Sequence, residues 1–485
     1  MSHQIQSESK IELKNSSLKM LSRGKKQEEK DWFQILAIFL ACISSFTDGM
    51  IFSWPSPAIP KIVADKTNYD ISLDEASFFT VLPPIGAILS SFLFAKLNDT
   101  IGRKYTLLLI TIPQIIALSL IATAKSIYVF YLARFIGGLG DACLFGCLPV
   151  YVGEISTPRV RGSWGNFMTF LMYVGQLSIN IIGSYSSIAM TAYICLIFPV
   201  FFFCTFIFMP ETPYFYLMKG RVEDARVSLQ RLRRVENVEE ELTKLKTDIE
   251  RQMSESGSWR DVFAIRSNRR ALFAGIFLRA SQQLGGISSF TVYTQYIFLK
   301  SGGDVSASTS AIIFMGLCAI LNMFAAFTLD KIGRRKSYFL SLLLCGLVLL
   351  CESVYFLLEQ FYSDLFDVKI FNWIPLVGMI LYVVFYSFGL GIVPTLMLGE
   401  LFSASIKGKG LFLMNIVLGL FVSVATKLFH LLDTSFGLFS PFLFFAVSCF
   451  VSTILSVRFV PETKGKTLGE IQQLLKGTKE DEQQC

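Results

Sequence analysis

AKLNDTIGRK at residues 95–104 and AFTLDKIGRR at residues 326–335 are one decapeptide written twice, agreeing at Ala, Asp, Ile, Gly and Arg. Each follows an apolar stretch. VGEISTPRVRG at 152–162 recurs as LGELFSASIKG at 398–408, with Gly-Glu at 153 and 399 and a basic residue then Gly at 161 and 407. PET at 210–212 recurs at 461–463. The offsets are 231, 246 and 251, so three motifs return in the same order with a drift that loops absorb. The chain reads as a duplication.

The repeated unit is a set of membrane spans. Of the 485 residues 53% are hydrophobic and 17% charged, with 46 Phe, well outside soluble composition. Twelve apolar stretches are centred near residues 43, 86, 114, 140, 174, 198, 280, 319, 348, 386, 420 and 449. A helix of roughly 20 residues crosses a hydrocarbon core about 30 Å thick, and lipid offers the backbone no partner, so each stretch is expected to be helical. The expected fold is an all-α membrane protein of twelve transmembrane helices in two pseudo-symmetric six-helix halves, 32–210 and 270–460. Residues 211–269, which include GRVEDARVSLQRLR and ENVEEELTKLKTDIERQM, are expected to form cytosolic linker helices. Residues 1–31 and 461–485 are read as cytosolic tails, and no cleavable signal is expected.

Charge sets the expected orientation. With both termini inside, 36 of the 44 Lys and Arg lie on the cytosolic side, 5 in outer loops and 3 within spans. That is the positive-inside pattern, and the net charge of +7 is then a topology signal with no nucleic-acid partner implied. Nine of the ten cysteines fall in apolar segments, so neither a disulfide framework nor a metal site is expected. The sequons at Asn15 and Asn98 fall on the cytosolic side and are expected to stay unmodified.

The polar groups inside the spans point to function. QQLGGISSF at 282–290 interrupts an otherwise apolar run with two amides, two glycines and two serines. Unpaired amides are costly in hydrocarbon, so Gln282 and Gln283 either face a wet cavity or join helix to helix. A glutamine amide offers both donor and acceptor, so it can meet polar groups of either kind. Duplicated halves place a cavity between them near the midplane, and rocking one half over the other alternates its access.

DxxGRK, DxxGRR, YLARFIGGLG, PVYVGEISTPRVRG, GQL, PETP, QQLGGIS and PETKGKTLGEI together resemble the sugar-porter branch of the major facilitator superfamily, from Trp32 onward. WPSPAIPKI and SFGLGIVPTLMLGE are similar to the insect facilitated trehalose and hexose carriers within it. The resemblance implies facilitative sugar transport at the plasma membrane by a monomer, with no cofactor. It implies sugar contacts at Gln176, Gln282, Gln283, Ser288, Asn322 and Thr395. Several positions depart from the family pattern. Ser288 replaces an Asn, Thr395 stands where an aromatic platform is expected, Cys318 takes an eighth-span Asn position with Asn322 one turn away, and Leu418 and Gly419 replace an Asn-Trp pair. The expected pocket is less polar and lacks its stacking floor.

The resemblance also implies a cytosolic gate of Asp99, Arg103, Glu154, Arg161, Glu211, Asp330, Arg334, Arg335, Glu400 and Lys407, latching the halves when the cavity opens outward. Tyr214 stands where the family's PESPR has Arg, so one latch partner is missing. Within the spans, Asp48 and Arg134 resemble the coupling pair of proton-driven sugar porters, yet Asp48 lies about two residues off that register. Uniport is the expectation, and proton symport the alternative. No phosphate-binding loop and no catalytic constellation occur, so an enzyme is not expected. A sugar receptor that does not transport is the remaining alternative.

Overall fold

The computed structural model describes residues 31–476 apart from 255–256, 363–367, 404, 465 and 467; the outer tails, with Asn15, lie outside the described residues. Among the described residues every regular element is helical. Ten helices are long and apolar enough to cross a membrane. The first runs Trp32–Ala64 with a bend at Trp54, where Pro55 opens its second segment. The next five are Leu73–Thr100, Arg103–Thr123, Ile127–Ile155, Phe167–Tyr185 and Ile188–Phe206. In the second half the continuous ones are Ala307–Ile332, Arg334–Tyr362, Lys407–Phe436 and Phe439–Phe459.

The seventh and tenth spans complete the twelve, and both are broken. The seventh is Arg266–Gln283, Ile287–Val292 and Thr294–Lys300; the tenth is Ile374–Ser387 and Val393–Leu401. The first break has a local cause. Gly286 sits at φ +96°, and a β-carbon there would lie 2.6 Å from the Phe290 ring, so this turn admits glycine and little else. In the tenth span FGLGI carries the interruption, and Pro394 restarts the helix in its first turn, where a missing N–H costs nothing. Hydropathy alone sees two uninterrupted spans, because a break of a few apolar or glycine residues does not lower it.

Small residues let spans approach closely within the first half. A β-carbon at Gly49 would meet the Met172 carbonyl at 2.1 Å, and one at Gly175 the Phe46 carbonyl at 2.1 Å, so the first and fifth spans touch backbone to backbone. Between the halves the second span packs on the eleventh and the fifth on the eighth. Four linker helices, Pro213–Met218, Val222–Arg233, Glu239–Ser254 and Trp259–Ala264, cover one end of the bundle, the linker end. Arg233 ties them to the first half, donating to Glu241 at 2.8 Å, to the Ile155 carbonyl at 2.8 Å and to Gln34 at 3.2 Å. Gly257 ties them to the second, donating to the Ser405 carbonyl and accepting from Lys409.

Candidate functional site: two broken helices between two halves

The breaks of the seventh and tenth spans meet. Gln282 Nε2 donates to the carbonyls of Leu390 at 3.1 Å and Gly391 at 3.3 Å, which the tenth-span break leaves without helical partners. Tyr382 Oη returns a bond to the Gly285 carbonyl at 2.8 Å, and Leu390 N–H is taken by Ser341 Oγ at 2.9 Å. Each broken segment satisfies the other's backbone. Non-helical backbone at membrane depth needs such partners, and in transporters it marks where solutes bind.

Three predicted contacts fall in one place and three do not. Gln282, Gln283 and Ser288 lie together on the seventh span, all buried, with Ser288 Oγ donating to Gln283 Oε1 at 2.5 Å. Gln282 Oε1 accepts from Arg279 at 3.0 Å, so both ends of this amide have protein partners here. Gln176 is on the fifth span, 2% exposed, and its Oε1 meets no partner. Asn322, on the eighth span, takes Asn166 Nδ2 of the first half at 3.3 Å through its amide oxygen and at 3.2 Å through its carbonyl. Thr395 is exposed on the tenth span. Tyr386 lies near Tyr173 of the fifth span and near Cys318, which brings the seventh-span cluster to the interface between halves. Residue spacing alone carried no signal for Tyr173, Tyr338 or Tyr386.

At the linker end the residues expected to form a gate make one motif twice, inside each half. In the first half Arg103 pairs with Glu154 at 3.0 Å and with Asp99 at 3.8 Å, and Thr212 Oγ1 donates to Glu154 at 2.6 Å. Glu211 accepts the backbone N–H of Arg103 at 3.1 Å and of Lys104 at 2.9 Å, capping the third span at its positive end. Burial pushes the Glu211 carboxyl above the ordinary glutamate range, against the pull of those N–H groups. In the second half Arg334 pairs with Glu400 at 3.6 Å, and Glu462 accepts the N–H of Arg334 at 3.1 Å and of Arg335 at 3.2 Å. Gly102 at φ +101° and Gly333 at φ +99° make the matching turns. Arg161 bonds the Gly153 carbonyl, Arg335 the Val457 carbonyl, and Lys407 opens the eleventh span. The Asp330 side chain lies outside the described residues. Glu462 was not anticipated, although the second PET carries the signal for it.

The opposite end is sewn together across the halves. Gln295 Nε2 donates to Ser184 at 2.9 Å and to Asn180 at 3.4 Å, and its N–H goes to Ser56 at 3.3 Å. His430 bonds Asp74 at 2.7 Å, Lys427 bonds Ser77 at 2.7 Å, and Ser53 donates to the Thr291 carbonyl at 3.4 Å. Among the described residues the pairs Arg103–Glu154, Arg103–Asp99 and Arg334–Glu400 at the linker end each lie within one half, whereas the opposite end is bridged. This is the arrangement of a protein closed away from the linker end.

Asp48 and Arg134 are both buried in the first half, 2% exposed each. Arg134 donates to the Phe79 carbonyl at 2.8 Å and the Ile51 carbonyl at 2.6 Å, and its guanidinium lies 5.5 Å from the Trp54 ring centre. Asp48 lies near Asp141 of the fourth span, one oxygen of each carboxyl is buried without a partner, and Arg134 lies within electrostatic reach of both.

Twelve spans in two related halves, sealed at one end and meeting at broken helices, define a multi-pass membrane transporter. A family model described as sugar (and other) transporter matches residues 29–475. The chain is 31% identical over 446 residues to the facilitated trehalose transporter of Bombyx mori, covering 92% of this chain and 87% of that one. It is 30% identical over 449 residues to that of Apis mellifera ligustica, covering 92% and 88%. Its fold is similar to the inward-open xylose transporter of E. coli, with TM-score 0.75 and 19% identity over 91% of this chain and 100% of that one. A proton:xylose symporter structure bound to 6-bromo-6-deoxy-D-glucose is similar at TM-score 0.70 and 21% identity, over 91% and 100%. The chain belongs to the sugar (and other) transporter family.

Proposed function

We propose that the chain carries a sugar of the hexose or trehalose class down its gradient across the plasma membrane, as a monomer, by alternating access. The observation that carries this is the junction of the two broken helices at Gln282, beside the interface between halves. Gln282, Gln283, Ser288 and Gln176 would take the hydroxyls, with Asn322 and Thr395 on facing spans. The linker end, which holds most of the basic residues, is the cytosolic one, and both termini lie there. When that end closes, Arg103, Glu154, Arg334 and Glu400 exchange partners within a half for partners across it. Arg103 and Glu154 are largely buried and Arg334 and Glu400 partly so, which suits an exchange that hands each charge a new partner and leaves none bare. The curated relatives named as facilitated transporters support the passive mode.

Reconstitution tests the proposal. Labelled glucose or trehalose should enter proteoliposomes with saturation, and unlabelled sugar trapped inside should accelerate that entry. Binding without entry would mark a receptor and refute transport. The buried carboxyl groups of Asp48 and Asp141, side by side within the first half, favour a second reading, because ionisable residues at membrane depth mark proton paths in transporters. Under proton symport an imposed proton gradient would drive uptake past equilibrium, and an uncoupler or Asp48→Asn would abolish the overshoot. Passive flux predicts no overshoot.

A further inference from the structure

Arg279 places a positive charge on the seventh span, three residues before Gln282. Its Nη1 donates to Gln282 Oε1 at 3.0 Å; its Nε is buried without a partner, and no described residue accepts from its Nη2. The ionisable groups near enough to act on it are Tyr386 and Tyr338, with no carboxylate among them. Arg134, the buried arginine of the other half, is different: Asp48 and Asp141 face it and two carbonyls take its N–H groups. One half neutralises its arginine and the other does not.

A charge at membrane depth is costly unless something compensates it. What is missing here is an anion. The bond to Gln282 uses one side of the guanidinium and leaves the Nε and Nη2 edge without an acceptor. That edge presents two parallel N–H groups, the fork that a carboxylate takes with both oxygens. It lies at the junction of the broken helices, one turn from Gln283, and Tyr386 links the cluster to Tyr173 across the interface. A phosphate monoester would bring nearly two charges to a single guanidinium, so a singly charged carboxylate is the better match.

We propose that Arg279 makes this pocket a site for an acidic sugar, with the carboxylate on the Nε and Nη2 edge and the hydroxyls on Gln282 and Gln283. This rests on the reading of the chain as a sugar transporter. The absent aromatic platform at Thr395 agrees with it, because a pocket that holds its solute by charge depends less on stacking against the ring.

Glucuronate, glucose and glucose 6-phosphate are the probes, with the full-length protein in proteoliposomes and thermal stabilisation of the purified protein as an independent measure of binding. The wild type should take up glucuronate with a half-saturation constant about tenfold or more below that for glucose, as a charge-assisted bond predicts. Arg279→Gln should bring that ratio near one, and Arg279→Lys, which keeps the charge but loses the fork, should give an intermediate ratio. An inside-positive potential should accelerate glucuronate entry only. Glucose uptake that glucuronate does not compete with, a ratio unchanged in Arg279→Gln, or a preference for glucose 6-phosphate would each overturn the assignment while leaving sugar transport standing. Stabilisation by glucuronate without uptake of any probe would remove the transport reading and leave the pocket. Neither stabilisation nor uptake would overturn both.

Discussion

Gln295→Leu should open the end of the protein away from the linker helices. Gln295 lies on the last segment of the seventh span, 5% exposed, and its side chain bonds Ser184 at 2.9 Å and Asn180 at 3.4 Å in the other half. Both bonds exist only while this end is closed; once it opens, water replaces them. A neutral hydrogen bond contributes a net of about 0.5–1.5 kcal/mol, and with one of the two long, the pair contributes about 1–2 kcal/mol to closure. Leucine keeps the volume. The substitution also leaves no orphan, since Asn180 still accepts from Ser56 at 2.7 Å and donates to Ser53 and the Gln176 carbonyl, and Ser184 still donates to the Asn180 carbonyl. The ratio of open to closed molecules at this end should therefore rise about 5- to 30-fold. A cysteine at Thr291, buried at the closed end, reports the change in a protein whose exposed Cys204 and Cys351 are replaced by serine. A membrane-impermeant thiol reagent applied from that side should label it faster by the same factor. Labelling within twofold of the parent would refute the idea that these bonds hold the end shut.

Gln282→Leu removes an amide bonded to Arg279, Leu390 and Gly391; sugar half-saturation should rise several-fold at normal expression, from a lost contribution of about 0.5–1.5 kcal/mol, and unchanged uptake kinetics would exclude it from the pocket. Arg334→Ala, at the linker end, should lower turnover and favour molecules open at that end, read as faster thiol labelling from the linker side and slower from the other. Equal labelling on both sides in mutant and parent would end the latch assignment. Glu211→Gln keeps an oxygen for the Arg103 N–H but turns its NH₂ towards the Lys104 N–H, and should cost about 1–3 kcal/mol of stability, seen as a lower unfolding midpoint in detergent. An unchanged midpoint would mean that the cap is dispensable.

The duplicated decapeptides made the two halves legible before any coordinates, because a basic turn after an apolar span is a local pattern and its repetition needs no tertiary context. The spans were legible for a related reason. Lipid forces each crossing segment to satisfy its own backbone, so hydropathy along the chain is nearly sufficient to find them. The QQLGG stretch announced polar groups inside the seventh span, but the break at Gly286 came to light only in the structure.

The pairing of the two breaks was not legible. Gln282 and Leu390 are 108 positions apart, and nothing in either neighbourhood names the other. The charged motifs at the linker end show the same limit from the other side. They stand out in the sequence, but that Arg103 faces Glu154 of its own half is a property of the assembled halves. Glu462 and Glu211 likewise serve as caps because the chain folds each PET against the preceding turn in space. Arg279 was visible only as a charge in a greasy span; its unpartnered edge and its lack of a carboxylate are facts about its neighbours. The sequence alone determined the twelve spans, their duplication and the polar residues within them, since these follow from what each segment does with its own backbone in lipid. Which of those polar groups meet, and which are left for a solute, was decided by tertiary packing, because a hydrogen bond across spans depends on distances that no local pattern encodes.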